Sequence, residues 1–240
     1  MEQKKLIICH GDKGGVGKSM FAMLTVDFML NKGESLAVVE GDIEIGDVAK
    51  RFSGVKNVAG LGVDLDKSGR DAENSIATLF RHVEEQDCKT VVINAPANAK
   101  KAFDTNAEII VPVAQDLGFE VLVAWMVGIE EASAELSEKS IICQMADRKI
   151  AVINRHESQH DMDFFWFTNP EYKDAWIASG GLTGEIPELA SRVAVCLKAH
   201  KGRSLASLAG PDSPLHIVDR QVIKNWLKKS WTSAVQPLID

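Results

Sequence analysis

The stretch that most restricts the fold of this chain is His10-Gly11-Asp12-Lys13-Gly14-Gly15-Val16-Gly17-Lys18-Ser19-Met20. An apolar run, Leu6-Ile7-Ile8-Cys9, leads into it, and a helical pattern with Phe21, Leu24, Phe28 and Leu30 apolar leads out. Strand, glycine-rich turn and helix is the context of a phosphate-binding loop. Glycines let successive backbone N–H groups turn inward without Cβ clashes, and the start of the following helix adds partial positive charge. In such a loop Gly14, Gly15, Val16, Gly17, Lys18, Ser19 and Met20 form the cradle. Lys18 reaches the β- and γ-phosphates and the Ser19 hydroxyl ligates Mg²⁺. A chance glycine-rich turn explains the glycines but not their context.

Apolar runs of strand length recur along the chain at Lys5 to Cys9, Ser35 to Glu40, Thr90 to Asn94, Glu120 to Trp125 and Lys149 to Asn154, with a weaker run at Leu182 to Ile186. Continuous apolar, often β-branched, runs without alternation indicate strands buried on both faces, hence a parallel sheet. Helical patterns lie between them: one leaves Lys18 and stops near Asn31-Lys32-Gly33, and others cover about 71–87, 129–146, 159–178, 188–200 and 215–236. Residues 46–70 read as a loop or switch region with little regular structure. The expected fold is α/β, a doubly wound, mostly parallel sheet in a Rossmann-like three-layer arrangement. Ligands of such sheets bind at the carboxyl ends of the strands.

The length of 240 residues fits one domain, 1–240. Hydrophobic content of 45% and charged content of 25% suit a soluble globular chain. No apolar run is long enough to span a membrane. Met1-Glu2-Gln3-Lys4-Lys5 enters the first strand with no signal-peptide pattern. Cys9, Cys88, Cys143 and Cys196 form no C-x-x-C pair, which argues against zinc or iron–sulfur ligation and suits a reducing compartment. The expected location is cytoplasmic. The net charge of −7 means that any DNA contact needs a local basic patch.

Asp12 stands where the general loop pattern has its first glycine, and the remaining Lys13-Gly14-Gly15-x-Gly17-Lys18-Ser19 is a narrower pattern with a lysine at its start. It resembles the deviant Walker A motif of the ParA/MinD family of P-loop ATPases. The resemblance implies ATP and Mg²⁺ as cofactors, a homodimer formed on ATP binding, and Lys13 reaching the phosphates of the other subunit. After the second run comes Glu40-Gly41-Asp42, where the family reads Asp-x-Asp. Asp42 matches the second acid, implying a role in orienting the attacking water and holding the magnesium shell beside Ser19; Glu40 replaces the first. A loop of acids capping the next helix is the plainer reading. The third run ends in Asn94-Ala95-Pro96, where the family has its Walker B aspartate. An amide brings no charge and is no base, so this departure bears on Mg²⁺ binding and turnover. Residues 95–105 are then the second switch. Asn154-Arg155 resembles the family's purine-contact segment, though a capping Asn at a strand end has the same appearance. Gly184-Glu185-Ile186-Pro187-Glu188 resembles its Ile-Pro loop, which implies Pro187 and Glu188 beside the adenine.

Three further features carry two readings each. Six of the 15 aromatics sit between Phe164 and Trp176, as core or as a partner surface. Lys198, His200, Lys201 and Arg203 are a solvated helix end or a patch for non-specific DNA contact. In the last helix Val222, Ile223, Trp226, Leu227 and Trp231 share a face, suited to docking on its own domain or, less well, to a membrane surface. The expected function is an ATPase whose dimerisation and hydrolysis position a cargo, foremost plasmid or chromosome DNA in partitioning or conjugal transfer, with a partner protein stimulating turnover. The alternative, motivated by Asn94, is a nucleotide-dependent binding switch with little hydrolysis. A small-molecule ligase of the dethiobiotin synthetase type is remote, because no second substrate motif is present.

Overall fold

The alternation of apolar runs and helical patterns folds into one seven-stranded sheet. The computed structural model describes residues 3–11, 13–44, 46–97 and 100–240. Asp12 lies outside the described residues, as do Asn98 and Ala99 of the expected second switch. The strands are β1 (Lys4–His10), β2 (Leu36–Glu40), β3 (Val58–Gly62), β4 (Thr90–Asn94), β5 (Phe119–Val127), β6 (Arg148–Asn154) and β7 (Leu182–Ile186). Their order is β3-β2-β4-β1-β5-β6-β7, and every pairing is parallel. The first helices are α1 (Lys18–Asn31), α2 (Asp47–Phe52), α3 (Arg70–Gln86), α4 (Lys100–Thr105), α5 (Ala107–Asp116), α6 (Glu131–Lys139) and α7 (Ile141–Met145). They are followed by α8 (Phe165–Thr168), α9 (Pro170–Ala178), α10 (Ser191–Ala199), α11 (Leu205–Ala209), α12 (Ile217–Ser230) and α13 (Gln236–Ile239).

Successive residues of the central strands point to opposite faces, and both faces are covered. Leu6, Ile8, Val91, Ile93, Val121 and Val123 join one core with Leu79 of α3, Ile110 of α5 and Ile142 of α7. Ile7, Cys9, Val38, Val92, Leu122 and Ala124 join the other with Leu24 of α1, Phe52 of α2 and Leu227 of α12. This explains why the strands read as unbroken apolar runs. α1 is also unusual: nine of its 14 residues are buried, distributed around the helix. The sheet lies under it, and α11 and the C-terminal segment cover its outer side.

The loop expected over 46–70 is corrected by the structure. It contains α2 and the edge strand β3, whose sequence Val-Ala-Gly-Leu-Gly is too glycine-rich to show a strand pattern. The helix expected over 129–146 is two helices divided at Ser140, whose hydroxyl donates to Asp104 Oδ1 at 2.9 Å. The one expected over 159–178 is a 3₁₀ turn at Asp161–Asp163 followed by α8 and α9, with Pro170 opening α9. Phe164, Trp166 and Trp176 are core residues, which favours packing as the reason for the aromatic stretch.

The last helix, expected over 215–236, ends at Ser230 and passes through a π-helical turn, Trp231–Val235, into α13. Its apolar face docks on its own sheet. Ile223, Trp226 and Leu227 are buried, the Trp226 indole donates to the Pro187 carbonyl at 2.7 Å, and the Trp231 indole donates to the Leu24 carbonyl at 3.1 Å. Gly184 of β7 makes room for the π turn, since a Cβ there would collide with the Ser233 carbonyl. No helix among the described residues is long and apolar enough to cross a membrane.

Candidate functional site

Parallel strands place all their carboxyl ends along one edge, and the loops that leave this edge build a cleft of about 720 Å³. The loop after β1 forms its floor. Gly15 and Gly17 have φ of 88° and 113°, in the left-handed region that favours glycine. A Cβ at Gly17 would also lie 2.6 Å from Asn154 Nδ2. Val16 is buried and anchors the loop in the core, while Gly14, Gly15, Gly17, Lys18, Ser19 and Met20 line the cleft. Lys18 is buried as well, and its ammonium donates to the Lys13 carbonyl at 2.7 Å, drawn back over its own loop. The first residues of α1 border the same space, and the unpaired N–H groups and dipole of a helix N-terminus favour an anion.

Beside Ser19 the ends of β2 and β4 meet. Asn94 Nδ2 donates to Ser19 Oγ at 3.2 Å and to Glu40 Oε2 at 2.8 Å. The other Glu40 oxygen accepts from the backbone N–H groups of Val48 and Ala49, at the start of α2. Burial raises the Glu40 pKa, and these three hydrogen bonds oppose the shift. Asn94 Oδ1 is buried with no hydrogen-bond partner among the described residues. Asp42 also lines the cleft, with Oδ1 accepting from Glu44 N at 3.0 Å. Gly41 between the two acids permits the close approach, because a Cβ there would meet Pro96 Cδ at 2.6 Å.

This donor set fits a magnesium ion bound together with a nucleotide. Among the described residues no group of three or more His, Cys, Asp or Glu is arranged to hold a metal alone. A P-loop ion does not require one, since it takes a hydroxyl, phosphate oxygens and waters held by nearby carboxylates. Ser19 Oγ, Asn94 Oδ1 and the carboxylates of Glu40 and Asp42 would supply those contacts.

The remaining predicted residues fall in two groups. Asn154 and Pro187 line the cleft. Asn154 also supports its floor, donating through Nδ2 to Val16 O at 3.3 Å and accepting through Oδ1 from His156 N at 3.2 Å. Lys13, Arg155 and Glu188 are not among the lining residues. Lys13 is exposed and forms an ion pair with Glu130, which raises its pKa. Arg155 is held between Glu185 at 2.9 Å and Asp161 at 2.8 Å, and Glu188 accepts from Gln159 at 3.1 Å. His10 ends β1 against Phe103 and Trp125. Burial, reinforced by the charges of Lys18 and Lys100, lowers its pKa to about 3, so the ring stays neutral.

No family model matches the chain. It is 25% identical over 190 residues to the protein MobD of Acidithiobacillus ferrooxidans, covering 79% of this chain and 80% of MobD. A ParA family ATPase from Chlorobium tepidum superposes with a TM-score of 0.58 at 12% identity, over 94% of this chain and 98% of that one. The septum site-determining protein MinD from Pyrococcus horikoshii, solved with Mg-ADP, superposes with a TM-score of 0.55 at 15% identity, over 92% and 95%. The fold is that of the ParA and MinD ATPases. The resemblance read from the loop thus holds for the architecture, and the sheet is parallel throughout its described strands.

On this ParA/MinD fold the cleft has members that sequence reasoning did not assign to it. Glu40, Asp47, Arg51, Met23 and Trp226 line it, and so do Lys198 and Lys201 of the basic cluster. The rule of strand ends already pointed to Glu40, the last residue of β2. Arg51 gave no such signal. It reaches 149 residues along the chain to donate to the His200 carbonyl at 2.8 Å, and it also bonds the Leu197 carbonyl, capping the end of α10.

Proposed function

We propose that the chain is an ATPase of the ParA/MinD type, in which binding of ATP with Mg²⁺ assembles two subunits and hydrolysis separates them. The observation that carries this reading is the floor of left-handed glycines with the buried Lys18 above it, at the end of the central strand β1. Lys18 and the N–H groups of residues 14–19 stabilise charge developing on the transferred phosphoryl group. Bound Mg²⁺ supplies further neutralisation of the phosphate oxygens. Asp42 holds the attacking water. Asn154, Pro187 and the apolar wall of Met23, Leu189 and Trp226 enclose the base. Lys13 serves the partner subunit's phosphates, and for that it exchanges the Glu130 carboxylate for a phosphate oxygen.

Cycles of assembly and hydrolysis position a cargo. The cargo the resemblance favours is plasmid or chromosome DNA, in partitioning or conjugal transfer, with a partner protein that stimulates turnover and a cytoplasmic location. Lys198 and Lys201 of the basic cluster share the cleft with the nucleotide site, which weighs against DNA contact through that cluster. ATP-dependent DNA binding at low salt, lost on changing Lys201 and Arg203, tests it directly.

Turnover and dimerisation measured together test the main reading. Hydrolysis abolished by Lys18→Ala and by Asp42→Ala supports it. ATP-dependent dimerisation without turnover sinks it in favour of a second reading, a nucleotide-dependent switch. One observation favours that alternative: the end of β4 carries an amide where a base or a charge would assist hydrolysis.

A further inference from the structure

The parallel register of β2 and β4 sets Glu40 directly beside Asn94, each the last residue of its strand. The hydrogen bonds around them have a defined polarity. A carboxylate only accepts, so the Asn94 amide must turn Nδ2 toward Glu40, and the same NH₂ group then faces Ser19 Oγ. Glu40 is fixed from its other side by two backbone N–H groups, and both residues are at least nine-tenths buried. An aspartate at position 94 would place two carboxylate oxygens at the present 2.8 Å separation, where both cannot stay ionised without a bound cation. Asn94 and Glu40 are therefore a matched pair, and the charge of this pair sits on β2.

We propose that Glu40 supplies the negative charge that the end of β4 lacks, and that the Asn94 amide couples it to the Ser19 hydroxyl where Mg²⁺ binds with ATP. Glu40 is a positioning residue here, acting through Asn94 and through water held at the ion. The inference rests on the nucleotide-binding reading above. It explains how a chain with an amide at the end of β4 keeps a complete ion site, and it assigns Asn94 as one half of a charge exchanged between neighbouring strands.

The polarity argument yields a specific rescue. Glu40→Gln removes the charge and sets an NH₂ group against the Asn94 NH₂ group. Adding Asn94→Asp restores the pair in reverse. The side-chain amide introduced on β2 then donates to the carboxylate introduced on β4, which also accepts from the Ser19 hydroxyl. The oxygen of that amide still accepts from the N–H groups of Val48 and Ala49.

The test is a MgCl₂ titration of the binding of a fluorescent ATP analogue, mant-ATP, to the full chain. Thermal melts of the nucleotide-free proteins accompany it. Glu40→Gln is expected to raise the Mg²⁺ concentration for half-maximal binding by about 10-fold or more, and the double variant to return within about 3-fold of the parent. A Glu40→Gln titration that superimposes on the parent overturns the proposal. So does a double variant no better than the single one, which would make Glu40 a cap of α2 and nothing more. If Glu40→Gln alone does not fold, as its melt will show, the double variant decides by the same criterion. A parent protein that binds mant-ATP regardless of Mg²⁺ overturns this inference and leaves the nucleotide site standing. A parent that binds none removes both.

Discussion

Asp27 sits in the middle of α1, fully buried, and its Oδ2 accepts from the backbone N–H of Ala206 at 2.7 Å. It thereby caps α11, whose Leu205 lines the cleft. Burial raises its pKa from 3.8 to about 7, against the pull of the α11 hydrogen bonds and of Arg51. An acid whose pKa is raised in the fold favours folding in its protonated form. That contribution is complete below about pH 4 and is lost as pH rises through about 7. A shift of about three units at 1.36 kcal/mol each corresponds to about 4 kcal/mol across this window. Asp27→Asn keeps an acceptor for Ala206 and cannot ionise. Its stability at any one pH also includes the cost of placing an NH₂ group where Asp27 Oδ1 has no hydrogen-bond partner among the described residues. The informative quantity is therefore the slope. Urea unfolding from pH 4 to pH 8 should show the parent losing about 4 kcal/mol relative to the variant as pH rises. Parallel profiles for the two proteins would refute the assignment, and so would a parent that gains on the variant with rising pH.

Three other outcomes follow from the geometry. Gly17→Ala, at a φ of 113° and facing Asn154 Nδ2, should lower stability by about 1–3 kcal/mol in chemical denaturation and abolish nucleotide binding. Lys13→Ala should leave the melting temperature unchanged, since its pair with Glu130 is exposed on both sides, while reducing ATP-dependent dimerisation measured by light scattering. Trp226→Phe keeps most of the buried area but removes the bond to the Pro187 carbonyl, and should cost about 1 kcal/mol in urea unfolding.

Sequence reasoning reached the sheet and the floor of the cleft because both depend on local chemistry. Glycines before Lys18 announce a phosphate cradle, and unbroken apolar runs announce strands covered on two sides. It missed β3 because an edge strand half exposed to solvent has no need of an apolar run, and this one carries Gly60 and Gly62. It assigned no helix over α5, where Pro112 interrupts the pattern within the helix. The site was legible one strand end at a time, and its pairings were not. Asn94 read alone is a missing charge. Only the register of β2 and β4, set by residues 54 positions apart, shows the carboxylate beside it. The Glu130 that holds Lys13 is 117 positions away, beyond any local pattern.

The enclosure of α1 has a consequence for how the molecule opens. Its amides from Phe21 to Met29 lie between the sheet and the C-terminal layer, so their exchange with solvent deuterium requires unfolding of the whole sheet. Lys13, Gly14 and Gly15, exposed at the mouth of the same loop, can exchange through local fluctuation. The boundary between fast and slow exchange should therefore fall inside the cradle, at the first turn of α1. A ligand that grips both sides of this boundary carries protection outward into the loop. It also raises global stability by mass action. Occupancy of the cleft would then be readable as slowed exchange along a helix that touches the ligand only through its first two turns.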